Sequence, residues 1–437
     1  MRSFINLLYL ALLASVVSAA PAQNEERSIQ KRSFKVERVR NVNFQGHNGP
    51  RELMKAYAKY SMPVPQQLRD AIAAQAKTQA EPLVQSKKAK GAKHKAAGKS
   101  NNGTAQGSGS STGTVTAKPE AGDVEYLSPV NIGGQTLNLD FDTGSSDLWV
   151  FSTKLTDKKS QAGHVNYDPS KSKTFKQTEG STFNISYGDG SGAAGIVGTE
   201  TVEIGGVTVT EQAVELATQV SGSFVKDTAN NGLCGLAFSV LNTVRPVPQK
   251  TFFDNVMSSL AEPLFTADLR KNATGAYEFG KIDTTKFTGE MKFIPVNTTR
   301  GFWQFSSDKF QVGDGAVQQG TKNGQAIADT GTTLILANSA TINGYYSKVS
   351  GAANDASVGG ITVPCDAKMP DLKLDVGGVM AKVKGEDLIF AQVQGNTCYG
   401  GLQATTSSLQ IYGDIFFKSQ FVVFNGGNKT LGIADHA

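Results

Sequence analysis

The chain is poor in the side chains most enzymes use as nucleophiles or metal ligands. Its 437 residues include three cysteines and four histidines. Neither set falls at ligand spacing, so no metal is expected. No His-Glu-X-X-His zinc motif occurs, and no Gly-X-Ser-X-Gly nucleophile elbow stands between a strand and a helix. Past the first twenty residues no apolar run is long enough to span a membrane as a helix. Three cysteines also leave one over. Cys234, in the apolar run Gly232-Leu233-Cys234-Gly235-Leu236-Ala237-Phe238, reads as a small buried hydrophobe rather than a reactive thiol.

Charge is present but divided. Residues 1–120 hold 19 Lys+Arg and 7 Asp+Glu, a net of +12, while the remainder carries −7. A basic nucleic-acid arm on an acidic body is one reading. No aromatic-interleaved groove or nucleic-acid motif accompanies the lysines, which argues against it. A basic leader that neutralises an acidic body fits better.

The chain opens with Arg2 and an apolar core from Ile5 to Val17, then Val17-Ser18-Ala19. Residues 1–19 therefore read as a secretory signal. The last eight residues lack the hydrophobic tail of a lipid-anchored form, so a released, extracellular protein is expected. Lys31-Arg32 is a candidate processing site. Phe34-Lys35-Val36-Glu37-Arg38-Val39 alternates like a half-exposed strand. Arg51–Tyr60 and Gln66–Ala80 read as helices. Residues 86–113 are rich in Lys, Gly, Ser and Ala and cannot bury enough apolar surface to order themselves.

From Val124 the texture is mostly β, with short Val/Ile/Thr/Phe runs between Gly, Asn and Asp turns. Thr201–Ile204, Gly205-Gly206 and Val207–Thr210 read as a hairpin. Helices are expected at Thr251–Leu260 and Ala340–Val349. At 437 residues the chain exceeds one ordinary core.

One pattern occurs twice. Leu139-Asp140-Phe141-Asp142-Thr143-Gly144-Ser145-Ser146 is echoed by Ala326-Ile327-Ala328-Asp329-Thr330-Gly331-Thr332-Thr333. Each is an apolar strand, a tight Asp-Thr-Gly turn and hydroxyl residues that can donate to a carboxylate. Two copies suggest two related halves, each bringing one Asp to a shared centre. Two carboxylates a few ångströms apart cannot both ionise and share one proton. One then acts as base and the other as acid.

These motifs resemble those of the pepsin-like aspartic proteases, and in particular the secreted fungal aspergillopepsin and penicillopepsin type, over Val124 to Ala437. The resemblance implies a bilobal, mostly β fold, with a flap over a central cleft. It implies a signal at 1–19, an inhibitory propeptide at 20–115, and lobes at 116–305 and 306–437. Asp142 and Asp329 would be catalytic. Ser145 and Thr332 would hold their outer oxygens, Thr143 and Thr330 would brace the loops, and Gly144 and Gly331 complete the turns. Ile185 to Gly192 matches the flap, with Tyr187, Gly188 and Asp189 facing substrate and Trp149 supporting Tyr187. Asp189 implies acceptance of Lys at P1 beside large apolar residues.

The resemblance further implies a Cys365–Cys398 disulfide. It also implies prosegment lysine Lys59 on the two aspartates, inhibition by the chain's own propeptide and by pepstatin-type compounds, and a monomer. No cofactor, nucleic acid or membrane partner is expected. The strands around Gly235 and Gly413 would pack beneath the two catalytic loops, although Asn231 and Tyr412 depart from the family's usual Asp and Leu. Five sequons, at Asn102, Asn184, Asn272, Asn297 and Asn428, are candidate glycosylation sites. A non-catalytic relative of the same fold is the rival reading; such proteins typically lose one Asp or its adjacent Gly, and both are intact here.

Overall fold

Two crossed-strand units of the same design form the middle of the molecule. In the first, strand Gln135–Asp142 runs parallel to Gly232–Gly235, so that Asp142 sits opposite Gly235. Leu148–Val150 returns antiparallel against the same Gly232–Gly235 strand. In the second, Gln325–Ala328 runs parallel to Leu409–Tyr412, and Ile335–Ala337 returns antiparallel against it. Each catalytic-type Asp thus leaves a strand whose neighbour runs parallel, and the following loop is drawn inward between them.

This architecture comes from a computed structural model that describes residues 32–40, 46–80, 126–186, 192–271, 273 and 275–437. The expected signal (1–19), Lys31, the linker 86–113, Tyr187, Gly188, Asp189, Asn102 and Asn272 lie outside the described residues. Among the described residues no helix is long and apolar enough to cross a membrane.

The fold is mostly β. An eight-stranded sheet carries the first unit, and a five-stranded sheet and two four-stranded sheets carry the second. A six-stranded sheet joins them, built from Phe34–Glu37, three strands between Leu264 and Pro295, and the last two strands, Gln420–Asn425 and Thr430–His436. The expected hairpin is present: Ile204 pairs with Val207, and Gly205 and Gly206 both take positive φ, 57° and 85°. Two adjacent residues with φ > 0 suit a tight hairpin turn, and glycine takes that conformation without steric cost.

Local chemistry sets the helices. The first spans Gly49–Lys59, starting two residues before the sequence suggests, because Asn48 accepts from Arg51 N and Pro50 suits the first turn. It buries Leu53, Ala56 and Tyr57, a stripe at helical spacing. The second spans Gln66–Ala80. The other two are shorter than expected. Thr251 caps Phe252–Val256, which tightens into a 3-10 turn at Met257–Ser259. Asn338 caps Ser339–Tyr346.

Phe34–Glu37 alternates buried and exposed, as its sequence predicts, and pairs with Ala276–Phe279. Cys365 and Cys398 are joined by a disulfide. Cys234 is free and buried.

Candidate active site

Asp142 and Asp329 meet at the centre, both fully buried. Their loops are locked to each other by backbone and hydroxyl groups. Thr143 N donates to Thr330 Oγ1 at 3.1 Å, and Thr330 N donates back to Thr143 Oγ1 at 3.0 Å. Thr143 Oγ1 then donates to Ala328 O at 3.0 Å, and Thr330 Oγ1 to Phe141 O at 2.6 Å. Each hydroxyl therefore both accepts and donates across the pseudo-twofold axis. These polar groups are buried and mutually satisfied, which makes the geometry stiff.

The glycines are required by proximity. A Cβ on Gly144 would lie 2.7 Å from Asp329 Cγ, and one on Gly331 would overlap the Asp142 carboxyl. Each loop thus packs its glycine against the other loop's aspartate. Gly144 N donates to Asp142 Oδ1 at 2.8 Å and Gly331 N to Asp329 Oδ1 at 3.0 Å. The outer oxygens accept from hydroxyls: Ser145 Oγ to Asp142 Oδ2 at 2.6 Å, and Thr332 Oγ1 to Asp329 Oδ2.

A cation closes the centre. Lys59, the last residue of the first helix, donates from Nζ to Asp142 Oδ1 at 2.7 Å and to Asp329 Oδ1 at 2.9 Å. Tyr60 adds a hydroxyl to Asp329 Oδ2, and its ring packs against Phe302. The helix is tied further along the cleft. Thr333 donates to Glu52 at 3.0 Å, and Tyr57 OH donates to Ala404 O at 2.6 Å. Sequence reasoning singled out Lys59-Tyr60 but missed Tyr60 as a donor to Asp329 and missed Glu52 and Tyr57. The buried stripe Leu53, Ala56, Tyr57 would have pointed to that helix face.

The two carboxyls are held differently. Burial raises the Asp142 pKa above its ordinary value, and the charge of Asp329 adds to it against the opposing pull of Lys59. Burial pushes Asp329 up as well, but the Lys59 charge and the donated hydrogen bonds outweigh it and hold Asp329 at about 2. Burial disfavours the Lys59 ammonium, yet the two aspartates more than compensate and raise its pKa. Further carboxyls lie close by. Burial lifts Asp140 to about 6, against Lys55. It lifts Asp414 well above the usual range, against Arg38 and Lys55.

Trp149 is fully buried and packs edge-on to Phe224 at 5.0 Å. Its indole N–H has no acceptor among the described residues. Asn184, Asn297 and Asn428 are exposed. Asn231 departs from the family's Asp yet accepts from Val165 N at 2.7 Å. Tyr412 departs from Leu, and its hydroxyl meets Ser307 Oγ at 2.5 Å. Both substitutions are absorbed by local hydrogen bonds. Among the described residues no cluster of His, Cys, Asp and Glu could hold a metal.

Comparison with known proteins agrees with this geometry. The family model for eukaryotic aspartyl protease matches residues 125–436. Endothiapepsin of Cryphonectria parasitica is 41% identical over 98% of this chain and 98% of its own length. Penicillopepsin-1 of Penicillium rubens is 49% identical over 75% of this chain and 82% of its own. Aspergillopepsin-1 of Aspergillus flavus is 49% identical over 74% and 80%. With its paired Asp-Thr-Gly loops and its fungal relatives, the chain belongs to the pepsin-like eukaryotic aspartyl protease family and is an aspartic-type endopeptidase.

Proposed function

We propose that this endopeptidase is made as a secreted, self-inhibited precursor that cleaves proteins in acid through Asp142 and Asp329. The observation that carries the reading is Lys59 Nζ, within 2.9 Å of an oxygen of each aspartate. A buried ammonium on two carboxylates occupies the space a water and a scissile carbonyl would need. Residues 20–115 then act as the inhibitor, and lobes 116–305 and 306–437 as the enzyme.

In the mature form the two aspartates share one proton, as aspartate pairs at this separation do. The ionised member takes a proton from water as it attacks. The protonated member donates to the carbonyl oxygen. A tetrahedral diol forms, and proton transfer to the departing nitrogen breaks the C–N bond. Ser145 and Thr332 keep the outer oxygens engaged, so the inner oxygens face the reaction. Tyr187, Gly188 and Asp189 act as the flap that closes over an extended peptide and excludes water. Large hydrophobic residues are preferred at P1. Asp189, near the P1 side chain, allows Lys there through charge pairing. The enzyme works as a monomer without a cofactor, and Asn102, Asn184, Asn272, Asn297 and Asn428 are its candidate glycan sites.

Acid releases the clamp. Asp329, depressed to about 2, contributes stability that is fully present above the ordinary value of 3.8 and is lost as pH falls through about 2. Asp142 is raised, so its contribution has the opposite sign and favours low pH. Opening therefore rests on Asp329 and on the wider surface. The +12 leader loses its attraction to the acidic body as carboxylates protonate.

The test is digestion of a denatured protein at about pH 3–4, where a shared proton is expected, with and without pepstatin. Activity abolished by pepstatin supports the reading. Inactivity of fully processed protein overturns it in favour of a binding role. Activity indifferent to pepstatin removes Asp142 and Asp329 as the catalytic pair.

A further inference from the structure

The loop that carries Asp142 continues into a second pair of buried acids. Asp147 and Glu215 are 3% and 1% exposed. Glu215 lies on strand Val207–Val220, in register with Trp149. Asn242 bridges the two. Its Nδ2 lies 3.0 Å from Asp147 Oδ1, 3.1 Å from Glu215 Oε1 and 3.2 Å from Ser146 O. Thr243 donates twice more to Asp147 Oδ1, from N at 2.8 Å and from Oγ1 at 3.1 Å. Glu215 Oε2 is buried and has no partner among the described residues.

An ionised carboxylate oxygen buried without a donor, beside a second carboxylate, is costly. The cost falls when that oxygen carries a proton, because a neutral carboxyl loses far less hydration on burial than a carboxylate. Among the described residues Arg245 is a cation whose charge acts on Asp147, and its Nη1 donates to Asn242 O at 3.1 Å and Val244 O at 2.8 Å. It is occupied by neutral carbonyls rather than by the acids.

We propose that Asp147 and Glu215 hold one proton between them, and that this shared proton positions the Asp142 loop and sets the alkaline limit of catalysis. They are positioning residues, acting through the loop and not on substrate. The connection is short. Asn242 holds Ser146 O. Gly235 N donates to Asp147 O at 2.9 Å, and Ala237 N to Ser145 O at 2.9 Å. Ser146 Oγ donates to Phe238 O at 2.8 Å. Ser145 in turn donates to Asp142. Loss of the proton leaves two like charges buried side by side, and their repulsion pulls Asp147 from Asn242.

The electrostatics agree in sign. Burial raises Glu215 well above the ordinary carboxyl range, and the charge of Asp147 adds to it. Burial raises Asp147 too, while its hydrogen bonds from Glu215 and Thr243 lower it. The proton belongs to the pair, and the unpartnered Oε2 of Glu215 is the oxygen whose charge it removes. A raised carboxyl contributes stability that is present at low pH and lost as pH rises through its elevated value.

The inference rests on Asp142 being catalytic, so the experiment includes a readout that needs no activity. Glu215→Gln replaces the shared proton with a permanent N–H donor. In protein activated by acid from the full chain, the alkaline limb of kcat should move up by about one pH unit, with the acid limb and KM unchanged. Asp147→Asn should move it in the same direction. In the wild-type chain, amide-exchange protection at Gly235, Ala237 and Thr243 should fall about tenfold across that limb, and it should stay flat in Glu215→Gln. Superposable kcat profiles, or wild-type protection independent of pH, would overturn the proposal. An inactive chain whose protection still falls with pH would keep the shared proton and remove only the catalytic reading of Asp142.

Discussion

The loops after Phe141 and after Ala328 follow the same course, yet the fifth residue beyond the aspartate is Asp147 in one and Leu334 in the other. Both are buried. The first loop is therefore braced by a polar network that includes Asn242 and Glu215. The second is braced by an aliphatic side chain, with Gly413 backing onto Thr332 O. The aspartates differ in step: Asp142 is raised, and Asp329 is held at about 2. Symmetry of backbone does not impose symmetry of charge. The difference follows Lys59 and Tyr60, which lower Asp329 by charge and hydrogen bond, while burial keeps Asp142 raised.

The strongest way to break the comparison is to remove each carboxylate in turn. Asp142→Asn and Asp329→Asn should each lower kcat by about 10⁴-fold, measured on acid-processed protein. A variant that kept substantial activity would show that the loops are not equal partners in the reaction.

Removing the cation probes what both loops share. Lys59→Met leaves two buried carboxylates facing an apolar side chain. Breaking a buried ion pair costs about 3–5 kcal/mol, here at the contact of the Gly49–Lys59 helix with both aspartates. The full chain should then bind pepstatin at neutral pH, where the wild-type full chain should not. Equal binding by both would mean that Lys59 does not guard the site.

Smaller changes sharpen the charge difference. A hydrogen bond to a charged group contributes about 1.5–3 kcal/mol, and losing a donor raises the carboxyl it served. Thr332→Ala should move the acid limb of kcat/KM upward, because Asp329 loses a hydrogen bond that lowers its pKa. Ser145→Ala should move that limb less, because Asp142 is already raised by burial and by the charge of Asp329. The reverse pattern would exchange the two roles.

The smallest effect is expected at Cys234, beneath the Asp142 loop. Burial, followed by the charges of Asp142 and Asp140, pushes its thiol up to about 12. Native protein should resist thiol reagents, and Cys234→Ala should change kcat by less than about twofold. Rapid labelling of active enzyme would show that the loop opens.

Much of the architecture was legible because its signals are local. The Asp-Thr-Gly repeats, the Gly205-Gly206 turn and the Phe34–Glu37 alternation each depend on φ/ψ limits or a period of two, which neighbours in sequence encode. Helix ends were less legible, because Asn48, Thr251 and Asn338 act through single capping bonds.

The sequence alone thus determined which two aspartates are paired, since a repeated motif announces itself without knowledge of distance. It also pointed to Lys59, through the resemblance of Lys59-Tyr60 to the family's prosegment lysine. Tertiary structure decided how unequal the aspartates are. That inequality depends on Tyr60, 269 residues from Asp329, and on burial that no local pattern specifies. Tertiary structure likewise brought Asp147, Glu215 and Asn242 into one pocket. Desolvation and Coulomb forces act through space, so residues far apart in sequence set the protonation of each other.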